Sequence, residues 1–354
     1  LYPKIRNIKD AVRQCLLKYK STYIPLKKNF NLNNIKTLLV TGGCGFIGSN
    51  FINYFLDKHQ NYKIVNLDAM YYCAKEENIE EKIRTSNNYN FIKGSITNRE
   101  LVNFILTSHQ IDTILHFAAQ SHVDNSFSNP LQYTHDNILG THTLLECVRE
   151  YGEIEKFIHI STDEVYGEND NDIKTEKSIL NPTNPYSATK AAAEMLVNSY
   201  VYSYGIPTII TRGNNVYGPR QYPEKLIPKF ILALKNGEKC TIHGEGKTER
   251  SFLYVSDVVK AFEIILFQGK LGEIYNIGTN KEYSVMDITK SLVTIMKGDD
   301  DISKYIEYVE DRKYNDKRYF IEFDKLVNMG WKQEIFLVDG LKKTIDYYDN
   351  INKN

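Results

Sequence analysis

From Thr37 onward, short apolar runs alternate with longer segments whose apolar positions recur every three to four residues. Thr37-Leu-Leu-Val-Thr41 reads as a buried strand, Phe46 to Lys58 as a helix, Lys63-Ile-Val-Asn-Leu67 as a strand and Thr113-Ile-Leu-His-Phe117 as another. Lys156-Phe-Ile-His-Ile160 and Pro207-Thr-Ile-Ile-Thr211 continue the series, with helical patterns over about 137–151 and 186–203 between them. Strands that alternate with helices predict a parallel sheet covered on both faces. The expected fold class is α/β, a Rossmann-type doubly wound parallel sheet with a smaller C-terminal substrate-binding domain. The smaller domain is expected where the pattern loosens beyond Gly213, around Gly218-Pro219, Glu224 to Pro228 and Gly244 to Gly246. The boundaries that follow are an N-terminal extension at 1–34, a dinucleotide-binding domain at 35–211 with a returning segment near 251–268, and a second domain at 212–250 and 269–348.

The extension differs from the rest. It carries Lys4, Arg6, Lys9, Arg13, Lys18, Lys20, Lys27 and Lys28 against one acid, Asp10, while Ile8, Val12, Leu16 and Tyr19 sit at helical spacing. A solvated basic appendage is the favoured reading over a targeting or membrane-surface segment. Over all 354 residues, 44 basic and 44 acidic side chains cancel, which removes the charge argument for nucleic acid or an anionic membrane as partner. The five cysteines, at 15, 44, 73, 147 and 240, form no C-x-x-C pair and fit a reducing compartment, so a cytoplasmic location is expected. No apolar run approaches the ~18 residues of a spanning helix, the N-terminus lacks a signal-peptide core, and a soluble protein is expected. No metal is expected.

Gly42, Gly45 and Gly48 follow the first strand directly and open the first helix. Bare backbone at that point lets N–H groups approach a pyrophosphate at the helix N-terminus. Asp68 ends the second strand, where a carboxylate accepts both ribose hydroxyls and repels a 2′-phosphate, so NAD is favoured over NADP.

Tyr186 and Lys190 lie one helical turn apart and can face one cleft, where a nearby ammonium is expected to lower the phenol pKa toward the working range. Thr162 ends the preceding strand, at the carboxyl edge where open sheets bind ligands. Its hydroxyl can orient the same substrate oxygen. Asp163 and Glu164 add what alcohol oxidation does not need. Two carboxyls with separated pKa values can divide the acid and base roles of a water elimination, and we assign Asp163 as acid and Glu164 as base.

Thr41-Gly-Gly-Cys-Gly-Phe-Ile-Gly48, His116-Phe-Ala-Ala-Gln-Ser-His-Val-Asp124, Ser161-Thr-Asp-Glu-Val-Tyr-Gly167 and Tyr186-Ser-Ala-Thr-Lys190 together resemble the extended short-chain dehydrogenase/reductases, specifically the nucleoside-diphosphate-glucose 4,6-dehydratases. Arg212-Gly-Asn-Asn-Val-Tyr-Gly-Pro219, Pro223 to Pro228, Arg250 to Asp257 and Asn315 to Tyr319 agree with that family's substrate-binding stretches, and the match covers roughly 35–348. The resemblance implies a closed redox cycle in which tightly held NAD takes hydride from C4, Asp163 and Glu164 expel water across C5 and C6, and the hydride returns to C6. It implies a cofactor site of Gly42, Gly45, Phe46, Ile47, Gly48, Asp68, Ser95, Ile96, Ala118, Ala119, Tyr186 and Lys190. By the same carry-over, the substrate is met by Ser121, His122, Asn215, Glu224, Lys225, Arg250, Asn276, Arg312 and Tyr319.

Two departures stand out. Many relatives have Asp after the glycine of the third strand, where this chain has Gly94-Ser95-Ile96, so the adenine contact is expected to differ. Gln120 stands where thymidine-linked bacterial enzymes have Glu, and with Asn125-Ser126-Phe127, Arg212-Gly-Asn-Asn and Asn315-Asp316 it looks closest to the UDP-glucose 4,6-dehydratase part of plant-type UDP-rhamnose synthases. The expected substrate is UDP-glucose on a route to UDP-rhamnose or another deoxysugar, and relatives suggest a homodimer. dTDP-glucose, a UDP-sugar 4-epimerase activity and a non-catalytic NAD-binding scaffold remain as alternatives.

Overall fold

The computed structural model describes residues 37–168, 172–310 and 318–351. The basic extension, Asn315 to Lys317 and Arg312 lie outside the described residues. The first strand, β1 (Thr37–Thr41), shows how the sheet is made. Leu38, Leu39 and Val40 are all fully buried, as an apolar run covered on both faces requires. Leu38 and Val40 join one core and Leu39 the other, because successive side chains of a strand point to opposite faces.

Six further strands complete the sheet: β2 (Lys63–Asp68), β3 (Tyr89–Lys93), β4 (Thr113–His116), β5 (Lys156–Thr162), β6 (Thr208–Gly213) and β10 (Ile274–Ile277). Their order is β10-β6-β5-β4-β1-β2-β3, parallel throughout. The order reverses between β1 and β4, which opens a crevice at the carboxyl edge.

Of the helices of eight residues or more, α1 (Phe46–Lys58) and α6 (Val255–Gln268) cover one face through Phe51, Phe55, Val258 and Phe262. On the other face lie α2 (Arg99–Ser108), α3 (Gly140–Tyr151) and α4 (Pro185–Tyr204), with Ile105, Leu144 and Val197 in the core. A third core lies between α5 (Leu226–Asn236), α7 (Val285–Lys297), α8 (Leu337–Ile351) and strands β8 (Cys240–His243) and β12 (Ile306–Val309). Beside it, β7 (Asn215–Tyr217), β9 (Glu249–Tyr254) and β11 (Glu282–Ser284) form a three-stranded sheet in the order β11-β9-β7.

Two differences from the sequence reading have clear physical causes. β10 falls inside the stretch expected to belong to the second domain, yet Ile274 pairs with Ile210 and Ile277 with Gly213, so it is the outermost strand of the large sheet. The helix expected from about 137 begins at Gly140, after a wider turn over Thr134–Leu139. In that turn the Asn137 amide reaches the loop after β4: its Oδ1 accepts from the Gln120 N–H at 2.7 Å, and its Nδ2 donates to the Gln120 carbonyl at 3.1 Å and the Thr189 hydroxyl at 2.9 Å. Wide turns of this kind are often found where a helix supports a functional loop.

Behind the carboxyl edge lies a buried ion pair. Arg212 Nη2 donates to Glu194 Oε2 at 2.6 Å, Nη1 donates to the Tyr166 hydroxyl at 2.8 Å, and the two charged side chains are 3% and 0% exposed. Removing one partner strands the other charge in the interior. Arg212→Met is expected to cost about 3–5 kcal/mol of stability in denaturant melts. Arg212→Met with Glu194→Leu should recover most of that, and an unchanged single-variant midpoint would show that the pair holds nothing together.

Candidate active site

The glycine turn between β1 and α1 is shaped by close approach. Gly42 has φ +72°, and a Cβ there would come within 2.6 Å of the Ala118 backbone nitrogen, so only glycine allows the turn to pass so near β4. Gly45, at the N-cap of α1, offers no side chain, which leaves the first-turn N–H groups of a thirteen-residue helix facing the crevice. Asp68, at the end of β2, is locked by two backbone donors: Cys44 N–H to Oδ2 at 2.9 Å and Met70 N–H to Oδ1 at 2.8 Å. Burial pushes its carboxyl above the usual range and these two donors pull it back.

A cleft of about 240 Å³ runs along this edge. Gly42, Gly45, Phe46, Ile47, Gly48, Asp68, Ser95, Ile96, Ala118, Ala119, Tyr186 and Lys190 all line it, which is every residue expected at the cofactor site. The bare turn, the open helix end and the fixed carboxylate are what a dinucleotide's pyrophosphate and ribose need, so the residues present fit NAD.

A second cavity of about 370 Å³ adjoins the first. Tyr186, Ser121, Glu224 and Lys225 line both, so the two spaces share a wall. Thr162 and Glu164 line the larger one. Their positions come from local chemistry. β5 ends at Thr162, whose hydroxyl accepts the Glu164 N–H at 3.3 Å and starts a short 3-10 turn over Asp163–Tyr166. Asn184 caps α4 by accepting the Ser187 N–H at 2.9 Å, Pro185 occupies the first turn, and the spare Nδ2 of Asn184 donates to Glu164 Oε2 at 3.2 Å. Tyr186 and Lys190 then fall one turn apart on the same helix, both buried.

The electrostatics separate these groups. Burial, reinforced by the neighbouring Glu164, raises the Asp163 carboxyl to about 7 against the opposing hydrogen bonds of Asn214 and Thr162. Asp163 can therefore carry a proton near neutral pH, where an ordinary carboxyl is ionised. Its Oδ2 accepts from Asn214 Nδ2 at 2.7 Å and its Oδ1 from the Thr162 hydroxyl at 3.2 Å. Lys190 is brought down to about 8 by burial, with Glu194 pulling the other way. The phenol does not follow the sequence expectation. Burial and the Glu164 carboxylate hold Tyr186 above its ordinary value, opposed by the Thr162 hydroxyl, while Lys190 Nζ donates to the Ile160 carbonyl at 2.7 Å.

Of the expected substrate residues, Ser121, His122, Asn215, Glu224, Lys225, Arg250 and Tyr319 line the larger cavity. The Arg250 guanidinium lies over the Tyr319 ring, 4.8 Å from its centre, within range of a cation–π contact. Lys225 Nζ donates to the Ser121 carbonyl at 2.8 Å. Burial, and then the Lys225 charge, keep His122 below its ordinary pKa. Asn276 is a correction: it is fully buried in β10, its Oδ1 accepts from the Tyr166 hydroxyl at 2.8 Å and its Nδ2 donates to the Glu322 carbonyl at 2.8 Å, leaving no face for a ligand. Arg312 lies outside the described residues. The sequence reading missed Asn184 and Asn214. Asn184 was legible as an Asn-Pro helix start; Asn214 sits beside the assigned Asn215 and is distinguished only by where its amide points. Among the described residues, no cluster of His, Cys, Asp and Glu could hold a metal ion.

Fold and site together define a short-chain dehydrogenase/reductase of the extended type. The chain matches the GDP-mannose 4,6 dehydratase family over residues 39–344 and belongs to that family. It is 50% identical over 316 residues to a trifunctional UDP-glucose 4,6-dehydratase/UDP-4-keto-6-deoxy-D-glucose 3,5-epimerase/UDP-4-keto-L-rhamnose-reductase of Arabidopsis thaliana, covering 88% of this chain and 47% of that relative. The chain thus spans about half the length of the plant relatives it matches. It is 46% identical over 316 residues to the dTDP-D-glucose 4,6-dehydratase of Homo sapiens, covering 88% of this chain and 90% of the human protein. The crystal structure of dTDP-glucose 4,6-dehydratase from Bacillus anthracis, in complex with NAD, superposes with a TM-score of 0.83 at 38% identity, over 90% of this chain and 98% of that one.

Proposed function

We propose that this chain is an NAD-dependent nucleoside-diphosphate-glucose 4,6-dehydratase acting on UDP-glucose. The observation that carries the reading is that Thr162, Glu164 and Tyr186 line one cavity, that Tyr186 also lines the dinucleotide cleft, and that protonatable Asp163, buried outside the lining of both, stands between Thr162 and Glu164 in the chain. When bound, NAD supplies the hydride acceptor and donor of the cycle and a positive charge in the cleft. The protein supplies the rest. Asp68 holds the ribose, the first turn of α1 the pyrophosphate, and Arg250 with Lys225 the substrate's anionic groups. Tyr186 takes the proton from O4, assisted by the Thr162 hydroxyl and the buried Lys190 ammonium. Glu164 takes the C5 proton that the neighbouring ketone has made acidic, Asp163 gives its proton to O6, and water leaves.

A 4-epimerase needs the phenol and the cleft but leaves Asp163 and Glu164 without a task. The preference for UDP-glucose over dTDP-glucose rests on Gln120 and the Arg212-Gly-Asn-Asn pattern, since the identities to the plant and human relatives are similar, 50% and 46%. It is tested by incubation with each nucleotide sugar and NMR of the product: a C6 methyl signal identifies the dehydratase, UDP-galactose the epimerase, and inertness toward both the scaffold. Asp68→Ala should cut the preference for NAD over NADP about tenfold or more in fluorescence titrations, since one charge-assisted hydrogen bond is worth about 1.5–3 kcal/mol. An unchanged preference would remove Asp68 from the ribose site.

A homodimer is part of the proposal. Met195 and Tyr202, seven residues apart on one face of α4, are 61% and 90% exposed, and Leu131 nearby in sequence to α3 is 79% exposed. Sedimentation velocity distinguishes dimer from monomer. The described cysteines are all unpaired, and no described helix is long and apolar enough to cross a membrane.

A further inference from the structure

Asn214 joins β6 to β7 and has no part in the sequence motifs' assigned roles. It is 4% exposed, and both ends of its amide are engaged. The Thr279 N–H donates to Oδ1 at 3.1 Å, and Gly278 leaves the room, because a Cβ there would sit 3.0 Å from that oxygen. A backbone donor cannot be reversed, so the amide cannot flip. Its Nδ2 must face Asp163, where it donates to Oδ2 at 2.7 Å.

We propose that Asn214 is a positioning residue for the elimination: by donating to Oδ2 of Asp163 at 2.7 Å it fixes that oxygen and leaves Oδ1, which meets only the longer contact from the Thr162 hydroxyl at 3.2 Å, to carry the proton that leaves. This rests on the reading of Asp163 as the acid. In the step, the C5–H bond breaks and its proton passes to Glu164, the electron pair forms the C5–C6 double bond, the C6–O6 bond breaks, and the Oδ1 proton of Asp163 joins O6 to release water. Asp163 is left as a carboxylate. The fixed N–H of Asn214 meets that new charge without reorganisation, so it strengthens in the transition state and favours the step. The other groups facing Asp163 are Thr162, whose hydroxyl donates to Oδ1 at 3.2 Å, Glu164 on its own turn, Tyr186 on α4 and Arg250 on β9. Glu164 favours the protonated carboxyl and Arg250 opposes it, as Asn214 does. Removing the amide N–H therefore makes Asp163 a weaker acid that keeps its proton to higher pH.

The test uses the full chain with NAD and its nucleotide sugar. Asn214→Ala removes the donor without adding a titratable group, and Asn214→Ser serves as a second variant if the first does not fold. Turnover is expected to fall about 10- to 100-fold, the range for a hydrogen bond to a charged group, with KM essentially unchanged. The alkaline limb of kcat moves to higher pH. In an Asp163→Asn background the Asn214 substitution should add no further loss, since the two act as one unit. A purely structural role would lower the unfolding midpoint and leave the limb in place, and that result in a folded variant overturns the inference. If instead Asp163→Asn alone turns over with an unaltered pH profile, the acid lies elsewhere and the underlying reading fails too. Loss of activity in Asp163→Asn with silent Asn214 variants overturns the positioning role alone.

Discussion

Tyr186→Phe is expected to lower turnover by about 10²–10⁴-fold, the usual contribution of a positioned acid or base, while leaving the KM for the nucleotide sugar nearly unchanged. The phenol lines both cavities beside the Thr162 hydroxyl, which opposes the rise in its pKa, and this places it to take the O4 proton. Lys190 lines only the dinucleotide cleft and is turned to the Ile160 carbonyl at 2.7 Å. On rapid mixing, the variant should show no absorbance of reduced nicotinamide, because the first transfer does not occur. Retained near-normal turnover would remove Tyr186 from the role of base. The variant should also fold normally, since the ring still fills the same apolar space.

Glu164→Gln is expected to fail at a different point. Oxidation at C4 does not use this carboxylate, so the reduced-nicotinamide signal should appear on mixing and then persist, while product formation falls by about 10²-fold or more. Asn184 Nδ2 donates to Glu164 Oε2 at 3.2 Å and can still meet the carbonyl of a glutamine, so the side chain should keep its place. In deuterated water the normal enzyme should deliver product deuterated at C5, and the variant should not exchange that position. A variant that turns over normally would show that the C5 proton goes elsewhere.

The parts of this site that the sequence disclosed are the local ones. The turn at Gly42 to Gly48 and the spacing of Tyr186 and Lys190 depend on neighbours within a few residues, and the ends of α1 and β1 agree with the pattern to the residue. Nonlocal pairing was less visible. β10 is four residues long in a glycine-rich stretch, and its place beside β6 is decided by contacts about 60 positions away, between Ile274 and Ile210 for example (274 − 210 = 64). Asn276 was misread for the same reason: between buried Tyr275 and Ile277 its side chain turns to the opposite face of the strand and meets Tyr166. The phenol's pKa was misread because burial is a tertiary property, and a lysine at helical spacing says nothing about where its nitrogen is tied. Asn214 shows a further limit: its identity was plain, and only the backbone of Thr279 reveals which way its amide faces.

In the proposed cycle the hydride removed at C4 returns to C6 of the same sugar, and between the two transfers Glu164 and Asp163 expel water. UDP-glucose deuterated at C4 tests it directly. A 4-keto-6-deoxy product that carries the deuterium in its C6 methyl group is expected; deuterium found at C4 of a UDP-galactose product, or a 4-keto sugar whose C6 still bears oxygen, would overturn this cycle.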